Sequence, residues 1–68
     1  MELREVCNGW RLVATARQTD AGFIATGSAV HCDDLRSHQF PQISGPFFTE
    51  RAAVLTAIRW LRAWAELA

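Results

Sequence analysis

The chain has 68 residues, half of them hydrophobic, including three Trp and four Phe. A chain of this length forms one small domain, and its apolar content excludes a disordered segment, so we expect a single domain over residues 1–68. Seven Arg balance seven acidic residues, and this zero net charge excludes the long-range attraction that a general binder of nucleic acid or anionic membranes needs.

The basic residues and the N-terminal residues indicate the kind of organism and the cellular compartment. All seven basic residues are Arg, which is typical of a GC-rich bacterial genome. No apolar run approaches the roughly 20 residues that cross a bilayer. The N-terminus, with Glu2 and Glu5 around Arg4, also lacks the basic and then apolar order of a signal peptide. We expect a bacterial, cytoplasmic protein, in whose reducing compartment Cys7 and Cys32 stay free thiols.

The first half of the chain has the alternation of a β-hairpin. Within residues 10–17, one side of the predicted strand carries Trp10, Leu12, Ala14 and Ala16. Thr-Asp-Ala-Gly at 19–22 is typical of a turn, and residues 23–31 resume an extended pattern rich in small and β-branched residues. Asn-Gly at 8–9 predicts another tight turn, which leaves open whether residues 3–7 form a further strand.

The segment after this hairpin is predicted to be a loop. Residues 33–42 are polar, and Phe40 precedes Pro41, which restricts its own backbone and that of its neighbour. We expect this loop to lead to a short edge strand, with a further break at Ser-Gly-Pro, residues 44–46. The prediction for the sheet is therefore three antiparallel strands in meander order.

The last third of the chain predicts one helix over residues 50–67. Thr49 is a suitable N-cap, because its hydroxyl can accept an amide hydrogen bond from the first turn. Glu50 suits the positive end of the helix dipole. The expected fold class is α+β, a β-β-β-α domain with the sheet packed on the C-terminal helix.

This predicted helix has a narrow polar side and a wide apolar side. At about 100° per residue, the polar side consists of Arg51, Leu55, Arg59, Arg62 and Glu66. The apolar side forms two stripes. The first stripe is Val54, Ile58, Leu61 and Ala65, and the second is Ala53, Ala57, Trp60, Trp64 and Leu67. The sheet can cover the first stripe, whereas the second is covered by Phe40, Phe47 and Phe48 or is left for another subunit.

Trp60, Trp64 and Leu67 are the predicted partner-binding residues. Trp is strongly enriched among the residues that contribute most to binding, although both Trp can also be core residues. A twofold contact through an uncovered stripe would remove apolar surface from water. We therefore expect a homodimer, and we leave open an unidentified protein partner.

No catalytic, cofactor or metal site is predicted. The densest group of potential ligands is His31, Cys32, Asp33, Asp34 and His38. Adjacent strand residues point to opposite faces, which disfavours a shared ion at His31 and Cys32, and the spacing of the group fits no zinc module. A nucleophilic thiolate at Cys32 is disfavoured by the two neighbouring Asp. We therefore expect a protein that is not an enzyme.

Arg11 and Arg17 lie with Val13 and Thr15 on the second side of the strand predicted over residues 10–17. They form either a basic strip for RNA or the soluble outer face of the sheet. Because the net charge is zero, we expect the soluble face and no nucleic-acid partner.

Asp-Ala-Gly-Phe at 20–23 and Thr-Glu-Arg-Ala-Ala at 49–53 resemble the hairpin and the helix start of HicB-type antitoxin domains. The resemblance implies a clipped ribonuclease-H or double-stranded-RNA-binding fold, with a three-stranded sheet on a helix. It also implies an antitoxin-like or nucleic-acid-linked regulatory function as an alternative. The chain is also similar to short bacterial proteins built as strands followed by one Trp-rich helix. The residues themselves favour a non-enzymatic binding or assembly module, ahead of that alternative and of a small enzyme.

Overall fold

A computed structural model describes residues Met1–Ala68 as four strands and one helix. In chain order these are β1 (Leu3–Cys7), β2 (Trp10–Thr19), β3 (Gly22–His31), β4 (Ser37–Phe47) and α1 (Glu50–Leu67). The strands form one antiparallel sheet in the order β1-β2-β3-β4, and α1 packs on one face of it. The α+β class and the C-terminal helix are confirmed, whereas the prediction of three strands is wrong.

The hairpin of β1 and β2 forms because of its two turn residues. Asn8 and Gly9 have φ angles of 49° and 81°. A type I′ turn needs positive φ at both central residues, and its twist matches that of two antiparallel strands. Cys7 consequently pairs with Trp10, and residues 3–7, undecided from the sequence, form an edge strand.

The expected edge strand is present as β4, but it replaces most of the loop predicted over residues 33–42. It also runs through residues 44–46, so the further break predicted there is wrong. Only residues 32–36 connect it to β3, and Ser37 already pairs with Val30. Polar Gln39 does not indicate a loop, because it lies on the sheet face away from α1 and can stay hydrated there. Pro41 is tolerated because β4 is an edge strand, where a residue without an N–H leaves no sheet hydrogen bond unmade.

Small side chains let α1 lie close to the sheet. The core consists of Trp10, Leu12, Ala14, Ala25, Ala29, Ala53, Val54, Ala57, Ile58, Leu61 and Ala65. At Gly27, an added Cβ would lie 2.7 Å from Leu61 Cδ1 and 2.8 Å from the carbonyl oxygen of Val13. A side chain at position 27 would therefore collide with Leu61 of α1 and with the backbone of β2.

α1 begins at the predicted cap. Thr49 has the extended φ and ψ of an N-cap, −125° and 152°, and its Oγ1 accepts a hydrogen bond from the Ala52 amide at 3.1 Å. Glu50 lies in the first turn, and its Oε2 is 3.2 Å from the N-terminal ammonium of Met1. α1 lacks the combination of length and apolar character that a membrane-spanning helix requires.

Candidate functional site

Six rings meet where the second half of α1 crosses the sheet. We call this group the aromatic cluster; its members are Trp10, His31, His38, Phe40, Trp60 and Trp64. Trp10 is its most buried ring, 4% exposed, and its centroid lies 4.8 Å from the centroids of both His31 and Trp64. Both pairs are edge-to-face, an arrangement that stabilises beyond the burial of area alone.

β4 supplies the rings that cover part of the second helix stripe. The Phe40 centroid lies 5.0 Å from that of Trp60 and 5.3 Å from that of Trp64. The His38 ring lies 5.1 Å from Trp64. The Arg36 guanidinium lies 5.4 Å from the centroid of the Trp10 ring, within range of a cation–π interaction.

The cluster leaves apolar surface uncovered along one side of α1. Trp60 is 41% exposed and Leu67 is 90% exposed, whereas Trp64 is half-buried. We call Trp60, Ala63 and Leu67 the helix flank, because these exposed residues follow one another on that side. Phe48 is fully exposed, so the expectation that it covers this stripe is wrong.

The opposite side of α1 is held to β1 by polar contacts. Arg62 Nη2 donates to Glu5 Oε1 at 2.7 Å, and Arg62 Nε donates to the other carboxylate oxygen. These hydrogen bonds lower the pKa of the Glu5 carboxyl and raise the pKa of the Arg62 guanidinium. Asn8 Nδ2 donates to the carbonyl oxygen of Ala65 at 2.9 Å. Arg62, expected on the polar side of the helix, thus ties α1 to β1.

The residues considered as metal ligands lie in and around the β3–β4 loop. His31 Nδ1 is 3.3 Å from Asp34 Oδ1, and Arg36 Nε is 2.8 Å from Asp34 Oδ2. The backbone amide of Arg36 donates to Asp34 and lowers the pKa of that carboxyl. No three His, Cys, Asp or Glu side chains converge on a point that could hold a metal ion. Cys7 and Cys32 are free thiols.

The sheet face away from α1 is uncovered, and we call it the open face. Two open grooves cross it, of about 440 Å³ and about 240 Å³. The larger groove lies between Arg4, Val6, Arg11, Val13 and Val30. The smaller groove lies over the central strands and is lined mainly by hydroxyl and amide side chains, namely Thr15, Thr26, Ser28 and Gln39. The face is therefore basic and hydroxyl-rich.

The structure brings Trp60 and Trp64 into one cluster and leaves Leu67 exposed. Phe40 packs on both Trp rings, in agreement with the alternative in which it covers the second stripe. Sequence reasoning missed His38 as a ring partner. The available signal was the alternation of His38 and Phe40 with polar Gln39, which is the period of a strand.

No protein-family model matches the chain, and no curated protein or solved structure matches it. The resemblance to HicB-type antitoxin domains stays a prediction. Functional evidence comes from the surfaces of the molecule itself.

Proposed function

We propose that this chain is a non-enzymatic binding and assembly module that forms a homodimer through the helix flank. The observation that carries the proposal is the position of Trp60, which packs against Phe40 and still leaves 41% of its surface exposed. Leu67, 90% exposed, extends this apolar surface by two helical turns. Contact with a second apolar surface removes this area from water, a gain of about 25 cal/mol per Å².

The charges beside the helix flank favour a second copy as the partner. Arg59 and Glu66 are exposed and lie seven residues apart, about 10 Å along the axis. Neither forms an ion pair within the chain. In an antiparallel twofold contact centred on Ala63, each Arg59 faces the Glu66 of the other copy. Ala63 is small, so the two helices can approach closely there.

The ionisable groups with shifted pKa values belong to structural contacts. Glu5, Asp34 and Arg62 have shifted pKa values, and hydrogen bonds at the protein surface cause all three shifts. Shifts of this origin are those of structural ion pairs. The antitoxin-like alternative depends only on the motifs at residues 20–23 and 49–53.

Sedimentation equilibrium from micromolar to near-millimolar concentration tests the homodimer. We expect a weak monomer–dimer equilibrium, because the flank is small. Leu67→Ser and Trp60→Ala should each shift this equilibrium toward monomer. Leu67→Ser is the variant less expected to destabilise the monomer, because the exposed Leu67 side chain contributes little to its fold. Arg51→Ala, on the other side of α1, is the matched control and should change nothing. A wild type that stays monomeric at near-millimolar concentration contradicts the proposal.

A charge exchange tests the orientation of the two helices. Arg59→Glu or Glu66→Arg alone should weaken the dimer, because like charges then face each other across the contact. The two substitutions together should restore it. If the double variant is as weak as either single one, the antiparallel arrangement is wrong.

A further inference from the structure

The two edge strands differ in their ability to pair with another strand. β4 contains Pro41 and Pro46 and has two shifts of register against β3, features that guard a sheet edge. β1 is short, but it contains no Pro and pairs residue for residue with β2. The less protected edge is therefore that of β1.

Arg4 and Val6 direct their backbone groups toward this edge. The two-residue turn makes Cys7 and Trp10 a hydrogen-bonded pair, and bonded pairs alternate with non-bonded pairs along an antiparallel ladder. The amide and carbonyl groups of Arg4 and Val6 consequently point away from β2. An extended chain alongside β1 can pair with them.

The side chains of the same two residues lie on the open face, beside its larger groove. Val6 is 70% exposed, and Val13 and Val30 continue the apolar lining of this groove. Arg4 and Arg11 add two guanidinium groups to the lining. A ligand that fills the groove therefore needs aliphatic groups as well as negative charge.

The charge of the open face is more positive than the neutral chain as a whole. It carries Arg4, Arg11 and Arg17, and Glu2 Oε2 lies 3.1 Å from Arg4 Nε. Glu5 also lines the larger groove, but its carboxylate is paired with Arg62. Arg11 and Arg17 form no ion pair. Free guanidinium groups bind carboxylates through paired, charge-assisted hydrogen bonds.

We infer that the edge of β1 and the adjoining groove bind an extended segment of a partner protein in which acidic and aliphatic residues recur. Such a segment adds a fifth strand to the sheet, and the side chains of its alternate residues lie over the open face. Carboxylates there meet Arg4 and Arg11, and aliphatic groups meet the valines. The site lies on the other face of the sheet from the helix flank and does not depend on the homodimer.

Single-stranded nucleic acid fits this surface less well. Its bases bind by stacking on aromatic side chains, and none of the Val, Arg, Leu and Glu residues that line the larger groove is aromatic. The Trp rings lie in the aromatic cluster on the α1 side of the sheet. The surface therefore offers charge to phosphates and no stacking platform to bases.

An amide NMR titration of the wild-type chain tests the inference. The probe is a short synthetic peptide of alternating Glu and Val, and the matched control is a peptide of alternating Lys and Val. We expect the Glu peptide alone to shift the amide signals of Arg4 and Val6 and to slow their hydrogen exchange. Arg11→Gln should weaken binding about tenfold, through loss of a charge-assisted pair. Arg51→Gln, away from the open face, should not.

A proline substitution tests the strand pairing separately from the charge. The Val6 amide points outward, so Val6→Pro removes an edge donor without removing a hydrogen bond from the sheet. We expect the variant to keep its circular dichroism spectrum and to lose peptide binding.

Three results would overturn the inference. The first is the absence of any shift at millimolar Glu–Val peptide, and the second is a set of shifts centred on β4. The third is tighter binding of a single-stranded oligouridylate at the open face, weakening steeply with added salt, which would assign the surface to nucleic acid.

Discussion

α1 is held to the sheet in different ways on its two sides. Toward β4, the Trp64 ring packs against Trp10 and Phe40. Toward β1, Arg62 forms an exposed ion pair with Glu5. Ring contacts depend on apolar area and geometry, whereas an exposed ion pair weakens with added salt and with protonation of the carboxylate. The comparison teaches that one helix is held on one side by apolar ring contacts and on the other by an ion pair whose strength depends on salt and pH.

The largest effect is expected on the ring side. Trp64→Ala should cost about 3 kcal/mol of unfolding free energy, because it leaves a cavity beside Trp10 and removes the ring contact with Phe40. That is a large share of the stability of a domain of this size. Urea unfolding measures the loss, and Trp60→Ala should cost clearly less, because that ring is already 41% exposed. Equal losses of unfolding free energy for the two variants would show that Trp64 holds the helix no more strongly than Trp60 does.

An intermediate effect is expected on the β1 side from Asn8. Asn8→Ala should cost about 1–2 kcal/mol, since it removes the hydrogen bond to the Ala65 carbonyl and places Ala at a positive φ. Asn8→Gly keeps the backbone conformation and removes only the hydrogen bond, so its cost should be smaller. Thermal unfolding of both variants checks this order, and the reverse order would show that the turn does not need positive φ.

The smallest effect, and the one that depends on pH, is expected from the ion pair. Because the pKa of Glu5 is lowered in the folded state, the pair stabilises the fold fully above pH 4.5, the ordinary value, and loses this contribution as pH falls through the lowered pKa. Glu5→Gln should therefore have a slightly lower Tm than the wild type at neutral pH and the same Tm in acid. The Asp34 carboxyl also has a lowered pKa, but it is present in both the wild type and Glu5→Gln, so its contribution cancels in the Tm difference between them. A Tm difference that persists unchanged in acid would contradict the assignment.

The helix and the central hairpin could be predicted from the sequence because their signals are local. The Thr49 hydroxyl caps the helix by accepting a hydrogen bond from an amide only three residues later. The period of the apolar residues determines which faces of the helix over residues 50–67 are buried. Alternation over residues 10–17 likewise identifies the two sides of β2.

The sequence indicates an edge strand after residue 42, but the start of β4 at Ser37 could not be predicted, because its pairing is decided by β3 elsewhere in the chain. Ser37 and Gln39 are polar since they lie on a face that nothing covers, and Pro41 is admissible only at an edge. His38 was missed as a partner of Trp64 for the same reason, because only the register of β4 brings its ring beside that Trp.

The homodimer can be tested most directly by isotope-filtered NOE spectroscopy on a mixture of labelled and unlabelled wild-type chains at near-millimolar concentration. We predict intermolecular cross-peaks between the Trp60 indole and the methyl groups of Ala63 and Leu67. Cross-peaks that arise instead from Val6 or Val13 would place the dimer contact on the open face. That result, or the absence of any intermolecular cross-peak, would contradict assembly through the helix flank.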